Sequence, residues 1–519
     1  MLKTLVKITP VPVLEVVESF LLNKYSRTKW FVTHSNPDAL EAISERKVVS
    51  AFKNAAKKTP AYQKLLKKHH VNYREIKNVN DFNKYVPQKS KINYVKKYPI
   101  EARCMYGKLP AHGNIDESGG TSGVATNWIH NFEEQNILYK SLKFEFNYVF
   151  DGNSKNFLVI SAWSTGPWAT GVKFCELMER MALVKNTATD PKDIVKTLKM
   201  FGTKKNYLIG GYPPFVKNLI DECSKEINWK RYNIDLVTGG EGVTLEWVNH
   251  IRKKLHKNSK IISSYGASDV DIGIGFESPL CHHIRKVVAR NKELRETLFG
   301  EEKELPMIFQ YNPTVHYIRN ITNKDGKPEF EITLLDKKAA IQKIKYNLHD
   351  EGKRFSYNKL IAAMEKHDKN FLNNYLTKTS RSKKDLVKLP FLCIFGRSDG
   401  TLSFDGANVF PDQIETSIMK SKDVAKKTNR FKIQKKYDND HNVQFHIHIE
   451  LKKNHKPSAP LKNVYSRVIL DELMDVNPDF KESYTKNKKL KPIINMYVFN
   501  HPLFRQDNEK AKNSYIIKN

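Results

Sequence analysis

Apolar positions along the chain fall into two rhythms. NFLVISAW (156–163) is a nearly unbroken apolar run of strand length, and NYLIGG (206–211), NIDLVTGG (233–240) and KIISSYG (260–266) repeat it. Such runs mark strands buried on both faces. Between them apolar residues return every three to four positions, over 132–148, GVKFCELMERMALV (171–184), PKDIVKTLKMF (191–201), Pro213 to about Lys225, and LEWVNHIRKKL (245–255). Pro191 stands where a helix starts. Strands alternating with helices of this length predict a parallel α/β sheet. After about residue 300 the rhythm shortens. MIFQYN, HYIRNIT, EFEITLL and IQKIKYNL read as successive strands with turns such as KDGK between them, an antiparallel β subdomain. Residues 351–388 are polar, lysine-rich and partly helical, and read as an insertion that loops out. Beyond FGRSDGTLSF the chain starts again as a small α+β unit, in which NVQFHIHIEL is an alternating strand.

Composition narrows the class. The chain has 519 residues, 40% of them hydrophobic, a length that suits about three domains, or one large one plus a small one. No window approaches 18 unbroken apolar residues, so no membrane span is predicted. The N-terminal MLKTLVKITPVPVLEVVESFLL carries two prolines and two glutamates and lacks a small-residue cleavage site, so it reads as a surface helix rather than a secretory signal. The five cysteines are widely spaced without a C-x-x-C, which fits buried thiols in a cytoplasmic protein. Cys281 beside His282 and His283 is too small a set for zinc. Net charge is +32, from 88 basic and 56 acidic residues. The lysines are dispersed in short groups such as KNAAKK, KKLHKNSK and KKNHK, so a diffuse field is expected and no specific nucleic-acid partner.

The chemistry concentrates in four segments. SGGTSG (118–123) precedes the helix that starts near Asn131. Its small residues let backbone N–H groups converge, a nest suited to phosphate oxygens. It lacks the G-K-[ST] ending of a Walker loop. SSYGASD (263–269) follows a predicted strand and sets an aromatic, a glycine and a carboxylate where α/β sheets bind ligands. KYNLHD (345–350) ends a predicted strand on Asp350, and FGRSDGTLSFDGANVFPDQIE (395–415) couples an arginine to an aspartate ahead of a helix start.

Together with VTGGEGVTLEWVNHIRKKL, these segments resemble the signature motifs of the adenylate-forming (acyl-activating, AMP-binding) enzymes, most closely the phenylacetate–CoA ligase-like branch. The resemblance runs by motif order over about residues 50–519. It implies an α/β fold with a large N-terminal domain, 1–398, of mostly parallel sheets plus the antiparallel β subdomain, and a small mobile α+β C-terminal lid domain, 399–519. It also implies that Ser118, Gly119, Gly120, Thr121, Ser122 and Gly123 hold the ATP phosphates. Gly240 and Glu241 would lie beside the adenine, with Ser264 and Tyr265 stacking near it and Gly266 and Ser268 in the same nucleotide set. Asp269 would bind magnesium, Asp350 would accept the ribose hydroxyls, and Arg397 would face ribose or phosphate. Asp399 would be the hinge. NEKAKNSYII resembles the family's catalytic C-terminal segment, which makes Lys510 the catalytic lysine and Lys512 its rival.

Three positions depart from the family pattern. Asp269 stands for a glutamate, His349 for a glycine, and Glu509 for the glycine before the catalytic lysine. The implied reaction is activation of a carboxylic acid as acyl-adenylate with ATP and Mg2+, then transfer to a thiol, that of CoA. An amine acceptor, adenylylation of a cofactor, and a non-enzymatic basic binding protein on the same fold remain alternatives. Trp163, Tyr207, Tyr212, Pro213 and Phe215 are either the lining of an acyl pocket or ordinary core.

Overall fold

The computed structural model describes residues 6, 8–118, 126–166, 169–300, 305–398, 400–505 and 515–517. The chain divides into two compact units. The first comprises 1–116, 127–211 and 219–396, and the second 117–126, 212–218 and 397–519.

The first unit is built on one sheet of eleven strands. Five form its parallel half: β3 (Phe157–Ala162), β4 (Leu183–Asn186), β5 (Asn206–Gly211), β6 (Asn233–Thr238) and β7 (Ile261–Ala267), in the order β7-β6-β5-β3-β4. Every residue of β3 is buried, which is why its sequence is an apolar run without alternation. The sheet continues past β7 through β8 (Asp271–Phe276), β9 (Met307–Gln310), β13 (Phe391–Arg397), β12 (Tyr346–Phe355), β11 (Pro328–Leu334) and β10 (His316–Thr322). The pairs β7–β8, β8–β9, β9–β13, β11–β12 and β10–β11 are antiparallel. The antiparallel strands therefore extend the parallel sheet rather than standing apart from it.

A separate two-stranded sheet, β1 (Gly113–Ser118) with β2 (Thr126–Asn131), flanks the glycine-rich loop and leads into the helix Phe132–Phe150. That helix starts with a capping box. The Asn131 side chain accepts from the Glu134 N–H at 3.1 Å, and Glu134 accepts from the Asn131 N–H at 3.0 Å.

Three expectations need correction. The helix expected over 171–184 ends at Met178, and Leu183–Asn186 is an edge strand paired with β3. Leu183 is exposed there, so the strand carries no burial pattern to read. In IQKIKYNL the strand begins only at Tyr346, because Lys345 sits in the left-handed region at φ 44° and breaks the extended backbone. Residues 351–388 do not loop out. They finish β12 and form the helices Tyr357–His367 and Phe371–Thr379, whose Leu360, Met364, Phe371 and Tyr375 share a core with Cys281, Ile284 and Val288 of the helix Pro279–Arg290. The lysines of this segment hide an apolar stripe of helical period.

The second unit holds the hairpin β14 (Leu402–Phe404) with β15 (Ala407–Val409), and the sheet β16 (Thr428–Tyr437), β17 (Val443–Leu451) and β18 (Ile493–Tyr497). Phe445, Ile447 and Ile449 of β17 pack against Tyr465, Ile469 and Leu473 of the helix Ala459–Val476. Near the C-terminus Ile516 bridges Ile433 in parallel fashion. All five cysteines are buried and unbridged. No helix among the described residues is long and apolar enough to cross a membrane.

Candidate functional site

Two motif segments that are distant in sequence meet in the first unit. SSYGASD occupies β7 and the turn after it, and KYNLHD enters β12. Tyr265 donates its hydroxyl hydrogen to Asp350, and Tyr346 donates to Asp269 at 2.7 Å. The ring of Tyr265 stacks on Phe309 of β9, with centroids 5.6 Å apart. Asp350 is buried to 9% exposure, while Asp269 and Ser268 are half-buried. Gly266 lies at a close approach. A Cβ there would come within 2.4 Å of the Ile272 carbonyl on the returning strand β8, so the tight β7–β8 hairpin needs glycine at this position.

The end of β6 joins the same strands. Thr238 Oγ1 lies 2.9 Å from Ser263 Oγ, and the Ser263 N–H donates to Glu277 at 3.0 Å. Ser264 hydrogen-bonds the Gly275 carbonyl at 3.4 Å. Gly240, beyond β6, takes a left-handed φ of 80°, and Glu241 follows it. His349 adopts φ 63°, which explains why glycine suits this position and what the histidine tolerates. Its N–H donates to Asn347 at 2.7 Å, and its Nδ1 lies 3.6 Å from Glu329.

Behind the strands that flank the glycine-rich loop is a buried charge cluster that sequence reasoning missed. Lys173 pairs with Asp116, and His130 Nε2 lies 3.3 Å from the same carboxylate. His130 Nδ1 is 3.5 Å from Glu134, whose carboxylate also accepts from the Ala340 N–H at 3.1 Å. Burial would raise the Glu134 carboxyl, but His130 and the backbone donors of Asn131 and Ala340 outweigh it and hold the group below its ordinary value. Asp271 is raised instead, because burial exceeds the help it receives from Lys173 and His130.

Lys343 completes this neighbourhood. It is 2% exposed, its ammonium sits 4.3 Å above the Trp128 ring, and it has no hydrogen-bond partner among the described residues. Burial pulls it down to about 8, with Glu134 and Asp269 opposing. One signal was available in the sequence: lysines alternate with apolar residues in IQKIKYNL, unusual for a segment whose neighbours are buried.

Among the described residues no cluster of three or more His, Cys, Asp or Glu could hold a metal on its own. Asp269 as a single carboxylate suits Mg2+, which is commonly held by one or two carboxylates with substrate phosphates supplying the rest.

The remaining candidates lie in the core, in the second unit or outside the described residues. Tyr207 is core. It is fully buried, its hydroxyl donates to the Gly202 carbonyl at 2.6 Å, and its ring meets Tyr232. Trp163 is 3% exposed, packs edge-on against Phe174 and touches Gly239. Tyr212, Pro213 and Phe215 belong to the second unit, where the Tyr212 ring covers Gly406. Arg397 closes β13 and also belongs to that unit. Gly119, Gly120, Thr121, Ser122, Gly123, Asp399, Lys510 and Lys512 lie outside the described residues. Ser118 is the last residue of β1.

No protein-family model matches the chain, and no curated protein matches it. Solved structures do. The chain is similar to 2-hydroxyisobutyryl-CoA ligase in complex with 2-HIB-AMP and CoA in the thioesterification state, at 12% identity and a TM-score of 0.61, with 93% of this chain and 90% of that one covered. It is similar to the same ligase in the postadenylation state with R3-HIB-AMP, at 11% identity and a TM-score of 0.51, over 94% and 91% of the two chains. At these identities the likeness is one of architecture, and it spans nearly the whole of both chains: the protein has the fold of an adenylate-forming ligase.

Proposed function

We propose that the chain activates a carboxylic acid with ATP as an acyl-adenylate and passes the acyl group to a thiol, that of CoA, as in the phenylacetate–CoA ligase-like branch. The observation that carries the reading is the double link between SSYGASD and KYNLHD. Tyr265 on Asp350 and Tyr346 on Asp269 tie together the two segments that carry the carboxylates proposed for ribose and for metal.

In this reading the two roles differ by environment. Asp350, buried and oriented by Tyr265, accepts from the ribose hydroxyls. Asp269, more open, would be one ligand of Mg2+, with nucleotide phosphates supplying others. The ion would offset repulsion between the carboxylate substrate and the phosphates. Backbone donors of Ser118 to Gly123 hold the phosphates. Gly240, Glu241, Ser264, Gly266 and Ser268 border the base, and Arg397 contacts ribose or phosphate. Lys510 supplies the cation for charge building at the α-phosphate during adenylation, with 399–519 as the mobile lid domain turning at Asp399.

The test is ATP–pyrophosphate exchange over a panel of aryl, fatty and amino acids, with and without CoA. Exchange dependent on one class of acid, with AMP and a thioester formed once CoA is added, is expected. Exchange unaffected by CoA but coupled to amines would assign the amine acceptor instead. No exchange with any acid would overturn the reading.

A further inference from the structure

A cavity of about 560 Å3 lies in the first unit between the helices Val11–Leu22 and Phe132–Phe150 and the strands β8 and β10. None of Gly240, Glu241, Ser264–Asp269 or Asp350 lines it. Its volume is that of a small-molecule site. Most of its wall is apolar, formed by Ile137, Phe144, Ile274, Phe276, Val315 and Leu335.

His316 and Asp336 on that wall carry buried polar atoms without a hydrogen-bond partner among the described residues, and Glu145 on the same wall is half-buried. His316 is 3% exposed, and neither ring nitrogen has a hydrogen-bond partner. Glu145 has no cation acting on it, and burial alone raises its carboxyl. A buried polar group without a partner is rare in a folded protein, and each such group calls for a reason. The other charges are accounted for differently. Glu18 and Lys47 pair with each other, and Lys337 pairs with Glu15. Glu133 and Lys338 are exposed, Lys140 and Asp336 are half-buried, and the acids and bases of the lining nearly balance, so a charged guest would exchange its hydration for a lining of mixed sign.

The opening lies at the helix Val11–Leu22. Val16 lines the cavity and is 71% exposed, and Val13, Val17 and Phe20 on the same helix are exposed as well. The apolar patch around Val16 favours a lipophilic guest over a polar metabolite.

We propose that this cavity is a second ligand site, separate from the nucleotide site, that takes an uncharged, elongated apolar molecule bearing one hydrogen-bonding group, an alcohol or amide, set against His316 and Glu145. The guest completes the unmet hydrogen bonds of His316 while its chain fills the apolar wall.

Titration of the full chain with 1-dodecanol, dodecanoate or dodecyltrimethylammonium tests this by calorimetry and native mass spectrometry, without ATP. One equivalent of 1-dodecanol is expected to bind, with dodecanoate and the ammonium compound at least about tenfold weaker. Ser141→Phe, which projects into the cavity, abolishes binding. Val16→Asp at the exposed mouth cannot disturb the core and weakens binding by about tenfold, which guards against misfolding of the first variant. Glu145→Gln retains binding. Preference for either ion, equal binding by Val16→Asp and wild type, or no binding by any of the three overturns the proposal. Because no nucleotide is used, failure here is distinct from failure of ligase activity.

Discussion

Tyr265 donates its hydroxyl hydrogen to Asp350, 85 residues further along the chain, while its ring rests on Phe309. One aromatic side chain thereby fixes the orientation of a buried carboxylate and ties β7 to β12. If Asp350 accepts the ribose hydroxyls, its charge is what the nucleotide loses in Asp350→Asn. Hydrogen bonds to charged groups contribute about 1.5–3 kcal/mol, so ATP affinity falls by about ten- to hundredfold. Tyr265→Phe keeps the stack on Phe309 and releases only the orientation, so its loss is smaller. Calorimetric ATP binding measures both. Wild-type affinity in a folded Asp350→Asn would remove this residue from the site.

Lys343 is held over Trp128 without a hydrogen bond, and burial lowers its proton affinity. An ammonium in this setting costs stability, and replacing buried charge by an apolar side chain of similar size commonly stabilises. Lys343→Met is therefore expected to raise the melting temperature. It also removes a cation close to Asp269 and next to the strand that leaves the glycine-rich loop, so pyrophosphate exchange falls by about a hundredfold, as when one charge-stabilising donor is lost. A gain in stability with a loss of exchange marks a residue kept for function. A loss of both would make Lys343 structural, with Glu134 its ionic partner.

The parallel half of the sheet was legible because β3 is an apolar run and β5, β6 and β7 carry short apolar stretches, with helical segments between them. Legibility failed where burial leaves no period. The edge strand Leu183–Asn186 is too exposed to show one, and Tyr357–Thr379 hides its apolar stripe among lysines. In the site, Asp269, Tyr265 and Asp350 could be named because their motifs are contiguous in sequence. The cluster of Asp116, His130, Glu134, Lys173 and Asp271 could not. Its members come from five separate elements, and only the fold makes them neighbours. The aromatics stayed open between pocket and core for a related reason. Tyr207 has the composition of a pocket wall, but its hydroxyl is satisfied by Gly202 inside the core.

His349 occupies left-handed backbone at φ 63°. Histidine tolerates this region and a β-branched residue does not. His349→Val is expected to lose about 1–2 kcal/mol of stability, whereas His349→Gly stays close to wild type, relief of backbone strain offsetting the lost approach to Glu329. Urea denaturation of the three proteins decides it. Equal stability of the valine and glycine variants would mean that the turn relaxes.

The last prediction concerns acid. Burial pulls His316 down to about 4, whereas the unfolded chain binds this proton near the ordinary value of 6.5. Between these values the unfolded state carries more protons than the fold, so stability falls as pH drops from 6.5 to 4 and is unaffected by this group above that window. Glu145 has the opposite sign. Burial pushes it up to about 8, the fold keeps a proton that the unfolded chain has released, and its contribution declines as pH rises through 4.5 to 8. The other charged groups lining the same cavity include Glu18, Lys47, Lys140 and Asp336. Burial lifts Asp336 to about 6, so its slope has the sign of Glu145. Single variants separate the terms. Relative to wild type, His316→Leu should gain most at pH 4.5 and Glu145→Gln most at pH 8.5, measured by urea denaturation at pH 4.5, 6.5 and 8.5. If the His316→Leu and wild-type curves run parallel down to pH 4.5, the imidazole takes its proton inside the fold, and the cavity is wetter than its lining implies.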